Sequence, residues 1–221
     1  MIRPTTALLA LILAASAHGQ TAEDKGGTIS FRVTRFDPAD RAPPEFRIGN
    51  GEKQVAVKIP MTYIEGPIKA TLRDDKFLDF WRGSAEKPEL SIAIDPAKSK
   101  DLLLVFIPDK ETFRILTIQA PLSKFKGGDR YIVNATPTDI AIKLGDAAPL
   151  LIASQKSGIL AGPGGKKLQS LPVLIKQKSG EAWSLVSTEN WNCDPRFRKY
   201  LFIYTSPRTR HIAFHGVSER L

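Results

Sequence analysis

The sequence predicts an all-β protein built from two similar β-sandwich modules packed together, with little helix, and three observations carry that prediction. Short runs of alternating apolar and polar residues recur along almost the whole chain. Pro and Gly, sixteen of each, interrupt those runs at short intervals. One motif also occurs twice: an apolar run, a proline-containing polar turn and a second apolar run. It appears as "LLLVFIPDKETFRILTIQ" (102–119) and again as "YLFIYTSPRTRHIAFHG" (200–216).

The elements follow in order. In "ISFRVTRF", Ile29, Phe31 and Val33 alternate with Ser30, Arg32 and Thr34, the period-two pattern of a half-buried strand. "KQVAVKI" places Val55, Val57 and Ile59 on one face, and "LSIAID" does the same with Leu90, Ile92 and Ile94. Further strands are expected in "RYIVNAT", "DIAIKLG", "PLLIAS" and "LPVLIKQKSGEAWSLVS". In the last of these, Lys178-Ser179-Gly180-Glu181 between apolar runs marks a hairpin. Helical signal is confined to "ATLRDDKFLDFWRG", where Phe77, Leu78 and Trp81 allow one or two turns. Many short strands with frequent turns indicate a sandwich.

The repeat sets the domain organisation. Residues 46–59 match 131–144 at an offset of 85, and the hairpin motif repeats at an offset of 97. The difference of about a dozen residues places an insertion in the Gly-rich, basic "SGILAGPGGKKLQS" (157–170). Two modules, 28–120 and 129–218, are then joined by "PLSKFKGGD". The apolar ribbons 102–107 and 200–204 lack the alternation of a strand with one wet face, so both their faces must be covered. Packing the two copies against each other does this, at roughly 1.5–3 kcal/mol for each large side chain buried. The other solution is a contact with a different protein.

Residues 1–19, "MIRPTTALLALILAASAHG", have the form of a secretory signal peptide: Arg3, an apolar stretch over 7–15, then small residues for cleavage. The stretch is shorter than the roughly 20 residues of a membrane span, and no comparable run follows. The expected location is periplasmic or secreted, with no transmembrane segment. Cys193 is the one cysteine, so no intramolecular disulfide forms, and a lone thiol commonly serves as a small buried hydrophobe. Residues 20–120 carry 16 basic and 16 acidic side chains, whereas 121–221 carry 15 basic and 7 acidic, a net +8. Such a field concentrates anionic partners, which for an exported chain means envelope polymers or lipid headgroups and not nucleic acid. It also simply aids solubility.

Candidate chemistry is sparse. His211 and His215, with Cys193, evoke a metal set, but on a straight strand the two histidines lie about 13 Å apart. Asp74, Asp75 and Asp79 cluster near Trp81 in a way that resembles a sugar-cleaving site, although turn formation accounts for them more simply. Asn134-Ala135-Thr136 matches a glycosylation sequon, and "GPGGKK" (162–167) lacks the spacing of a phosphate loop. One group stands out: Arg196, Arg198 and Lys199 before the second ribbon, Arg208 and Arg210 in its turn, with Trp191, Phe197 and Tyr200 interleaved. Arginines beside aromatics suit planar anionic or carbohydrate ligands. The same charges would also protect a sheet edge from association.

The segments "GGDRYIVNATPTDIAIKLGD" and "LPVLIKQKSGEAWSLVSTENWNCDPRFRKYLFIYTSPRTRHIAFHGV" resemble uncharacterised secreted Gram-negative envelope proteins with tandem immunoglobulin-like sandwiches. The resemblance covers the second half directly and the first half through the duplication. Together with the sparse candidate chemistry and the basic second half, it leads to the expectation of an exported, non-catalytic binding or envelope-assembly protein without a cofactor, whose partner is an anionic envelope polymer or another envelope protein. The alternative is a metal-binding or enzymatic protein using His211, His215 and Cys193.

Overall fold

A computed structural model of the chain describes residues 27–39, 41–51, 53–98, 101–109 and 111–221. The signal peptide expected at 1–19 lies outside them. The described residues form sixteen strands and a single 3-10 turn at Pro96–Lys98. The first eight strands are β1 (Thr28–Arg35), β2 (Glu45–Ile48), β3 (Val55–Lys58), β4 (Glu65–Thr71), β5 (Phe77–Trp81), β6 (Leu90–Ala93), β7 (Leu102–Asp109) and β8 (Thr112–Gln119). The second eight are β9 (Arg130–Asn134), β10 (Ile140–Leu144), β11 (Leu150–Ile152), β12 (Ser157–Leu160), β13 (Gln169–Ser179), β14 (Ala182–Cys193), β15 (Phe197–Thr205) and β16 (Ile212–Arg220). No helix among them is long and apolar enough to cross a membrane.

The strands make four sheets, ordered β4-β1-β7-β8, β3-β2-β5-β6, β12-β9-β15-β16 and β11-β10-β13-β14. Adding eight to every strand number of the first pair reproduces the second pair, so the molecule consists of two β-sandwich modules of identical topology. In each, the first strand pairs in parallel with the seventh: Phe31 lies opposite Leu102 and Arg130 opposite Lys199. The hairpin repeat at an offset of 97 therefore joins true counterparts, Leu102 with Lys199. The match at an offset of 85 does not. It lays β2 on β9 and β3 on β10, one strand out of step, because any two alternating strands look alike locally. The expected insertion at 157–170 dissolves accordingly: its start is β12, the counterpart of β4, residues 161–168 are a loop, and its last two residues begin β13.

The region read as weakly helical is the end of β4, a turn and β5, which belong to different sheets. Leu78 and Phe80 alternate into the N-terminal core, while Asp74 and Asp75 adopt φ of 53° and 54° in the turn before β5. The hairpin at Ser179–Ala182 is present, with Gly180 at φ 61°, the residue a type II′ turn requires at its first central position.

Each module has its own core, drawn from both of its sheets. A third apolar cluster lies between the modules. Leu102, Leu104 and Phe106 of β7 point into the N-terminal core, whereas Leu103 and Val105 point away from it to meet Tyr200 and Phe202 of β15. The unbroken apolar ribbons are thus covered on both faces, one by the core of their own module and the other by the opposite module. The stack is outer sheet, inner sheet, inner sheet, outer sheet. Phe36 stacks on Phe202 with ring centroids 4.9 Å apart, and His215 bonds through Nε2 to the Met61 carbonyl at 3.0 Å. The expected linker takes part as well. Phe125 is fully buried edge-on to Tyr200 at 5.2 Å, and a Cβ on Gly127 would collide with the Pro195 carbonyl.

A charged knot closes this interface. Arg198, only 2% exposed, donates to Glu219 at 2.6 Å and to the Ala120 and Phe125 carbonyls at 2.6 and 3.3 Å. Glu219 also pairs with Arg32 of the N-terminal module and accepts from the Tyr200 hydroxyl at 2.9 Å. A buried guanidinium tolerates desolvation only with partners of this kind.

Two predictions follow from the knot. Glu219→Ala leaves Arg198 buried without its carboxylate and should cost about 3 kcal/mol of stability in denaturant titration, the low end for breaking a buried pair; a loss indistinguishable from that of a surface Glu→Ala change would contradict it. Burial pushes the Tyr200 phenol above its ordinary value of 10.0. A raised folded pKa means that this contribution is intact below pH 10 and declines as pH rises through the folded value. Thermal melts should therefore show an alkaline loss of stability above pH 10 that is smaller in Tyr200→Phe.

Candidate functional site

The residues singled out around β15 do not form one site. β15 spans about 26 Å from Phe197 to Thr205 at 3.3 Å per residue. Arg196 and Lys199 stand at one end, whereas Arg208 and Arg210 lie beyond the other. Alternation then divides them again. The side chains of Arg198 and Tyr200 face the N-terminal module and are buried there, so they hold the modules together, although Tyr200 also borders the cleft at Trp191 and Lys199. Arg196 is exposed but forked onto Asp194, with contacts of 3.0 and 2.7 Å, and this holds the Asp194 carboxyl down at about 2. Arg208 is exposed in the hairpin turn, and Arg210 (φ 62°) borders a polar hollow with Thr136, Thr138 and His211.

Lys199 and Trp191 do come together. They line a cleft of about 330 Å³ at the open edge of the C-terminal module, where β14 of the outer sheet and β16 of the inner sheet are both edge strands. Glu189, Asn190 and Asn192 form its β14 wall, and Phe214 and Gly216 its β16 wall. The end of the cleft is Arg130, a residue that sequence reasoning did not single out. It lies opposite Lys199 in the parallel β9–β15 pair, so the two cations are neighbours by register.

Arg130 is 3% exposed and well partnered. Its Nη2 donates to the Asn192 carbonyl at 2.9 Å, its Nη1 lies 3.2 Å from the Cys193 sulfur, and its guanidinium sits 4.5 Å over the Trp191 ring. That stacking orients the indole along the cleft wall. Lys199 differs. Among the described residues no carboxylate is ion-paired with its ammonium or with Arg130. Burial, then the adjacent Arg130 charge, lowers the Lys199 pKa from its usual 10.5, against a smaller opposing pull from Cys193 and Asp194. The cleft thus presents one unpaired ammonium, a second positive charge behind it, an indole face, two asparagine side chains and the Glu189 carboxylate.

The alternative metal set is taken apart by the same alternation. Cys193 is buried in the C-terminal core beneath Arg130, His215 points the opposite way into the interface, and His211 stands exposed at the hairpin turn. No three His, Cys, Asp or Glu side chains converge among the described residues. Asp79, one of the carboxylates near Trp81, is buried against Arg73 at 2.8 Å and the Ser91 hydroxyl at 2.5 Å, while Asp75 binds the Gly27 amide from a turn. The sequon asparagine, Asn134, is fully buried. Its amide donates to three carbonyls, including Thr138 at 2.8 Å, and its oxygen accepts from Thr136, so it organises the β9–β10 turn.

No protein-family model matches this chain, and no curated protein matches it either.

The burial of Cys193 has a direct check. A thiol-reactive probe should modify the native protein at a rate limited by opening of the fold, and Trp191→Ala, which uncovers the Arg130–Cys193 layer, should accelerate it at least tenfold. Reaction of the native protein as fast as in denaturant would contradict the placement.

Proposed function

We propose that this is a non-catalytic, exported protein with a binding or envelope-assembly role, and that its cleft at Trp191 and Lys199 receives an anionic group of an envelope polymer. The observation that carries this reading is the Lys199 ammonium, desolvated beside Arg130 and, among the described residues, in no salt bridge. Holding two like charges together in a half-buried cleft is unfavourable, and an incoming anion relieves it. The indole offers a flat face for a sugar ring, and Asn190, Asn192 and Glu189 offer donors and an acceptor for hydroxyl groups. The volume lies at the lower end for small-ligand pockets, suiting one charged sugar unit of a chain.

The +8 excess of residues 121–221 supports the same reading, since it draws polyanions to this module. The immunoglobulin-like character of the two modules and the periplasmic or secreted location belong to the proposal as well. They rest on the resemblance and on the signal-like segment. A partner protein in place of a polymer is the second reading, favoured by the exposed edge strands β14 and β16, which leave backbone groups available for strand addition.

Lys199→Ala should weaken binding of an anionic polysaccharide or of polyphosphate about tenfold, the equivalent of one charge-assisted hydrogen bond. Wild-type affinity should fall as pH rises through the lowered Lys199 pKa, and the variant should lack that step; titration calorimetry across the alkaline range reads both. Absence of polyanion binding, or equal binding by the variant, removes the proposal.

A further inference from the structure

The duplication supplies an internal comparison: the solvent-facing sides of the two outer sheets occupy equivalent positions but are finished differently. In the N-terminal module that side is closed by polar pairing. Asp79 on β5 is buried under Arg73 and bonded to Ser91, its cross-strand neighbour on β6, and Arg73 also covers the Phe77 ring at 4.9 Å. In the C-terminal module nothing comparable covers it among the described residues. Leu151, Ala141 and Lys176 form one cross-strand row over β11, β10 and β13, Lys143 lies opposite Leu174 in the next row, and Lys178 lies opposite Trp183. Between Leu151 and Trp183 runs a shallow hollow of about 280 Å³, floored by Ala141 and Leu174. Leu151 is 65% exposed and Trp183 37%.

The charged side chains within these rows are all lysines. The acids of this region, Asp139, Asp146 and Glu181, lie in the flanking turns; Asp139 accepts from the Ser154 amide at 3.0 Å and pairs with Lys178 at 4.0 Å. An exposed leucine gains nothing from a hydrated polysaccharide, where only the indole has a flat face to offer a sugar, and three lysines gain nothing from an apolar partner. A layer of anionic lipid headgroups over acyl chains satisfies both. Indole and leucine seat at the headgroup boundary, lysine stems lie along the apolar surface, and the ammonium groups reach phosphate.

We propose that the solvent-facing side of β11-β10-β13-β14 docks on an anionic lipid surface, with Trp183 and Leu151 inserted and Lys143, Lys176 and Lys178 contacting headgroup phosphates. This surface is separate from the Trp191 cleft and does not depend on what the cleft binds.

The test is sedimentation of the purified full-length protein with vesicles of phosphatidylcholine alone and of phosphatidylcholine mixed equally with phosphatidylglycerol. Binding to the mixed vesicles should exceed that to phosphatidylcholine at least tenfold and weaken with salt. Two variants, Trp183→Ala with Leu151→Ala and Lys143→Glu with Lys176→Glu, should each reduce it at least tenfold while keeping the wild-type melting profile. Lys199→Ala should bind vesicles as the wild type does. No binding to the mixed vesicles, or binding unchanged in both paired variants (as an apolar N-terminal segment would give), overturns the proposal. So does a Trp183-dependent self-association seen by sedimentation velocity, which would assign the face to a second copy of the chain.

Discussion

The contact of β7 with β15 is the constraint on which the rest of the molecule depends. Each of these strands is the central, parallel-paired strand of its inner sheet, and each is apolar on both sides. One side completes a module core and the other meets the opposite module. Neither inner sheet can then face water without exposing Leu103 and Val105, or Tyr200 and Phe202. The Glu219 carboxylate, shared by Arg32, Arg198 and Tyr200, adds direction to this otherwise unspecific apolar contact, because it is satisfied in only one registration of the two sheets. The connection between modules belongs to the same device. Phe125 fills the interface, and the Ala120 and Phe125 carbonyls accept hydrogen bonds from the buried Arg198 guanidinium.

Docking through the inner sheets determines where partners can approach. It consumes the residues of β15 that face the N-terminal module and leaves to the exterior the two outer sheets and the sandwich edges. The Trp191 cleft is such an edge, opening where β14 and β16 both run out of neighbours. Its chemistry comes from register. The parallel β9–β15 pair sets Arg130 beside Lys199 at the end of the core, and Arg130 in turn seats Trp191 and covers Cys193. The two modules, alike in topology, diverge at this place: the position of Arg130 and Lys199 is held in the N-terminal module by Phe31 and Leu102, both buried in its core. A cationic end of the sandwich therefore belongs to the second copy alone.

The fold was largely legible in the sequence, and the candidate site only in part. Alternation revealed most strands because one pleat face is buried and the other wet. Two-faced ribbons revealed the docking because six unbroken apolar residues have no stable arrangement with one side in water. The segment around Phe77 was misread because its turn is built by Asp74 and Asp75 in a left-handed conformation, and the pairing of Arg73 with Asp79 has no short-range signature. Trp191 and Lys199 were found by composition. Arg130 was missed although its segment was noticed, since nothing near it in sequence shows that it will lie against Lys199, sixty-nine positions further on.

The sequence by itself determined the β class, the hairpins, the doubling of the chain and the pairing of its halves through the two ribbons, because all of these follow from local apolar periodicity. Only the tertiary structure decided which strand of one copy answers to which in the other, and which polar residues around β15 face a neighbour and which face solvent. Alternation assigns a side chain to a face of its strand. What covers that face is set by long-range pairing, and this is why Arg198 became part of the interface while Lys199, one residue on, remained open to a partner.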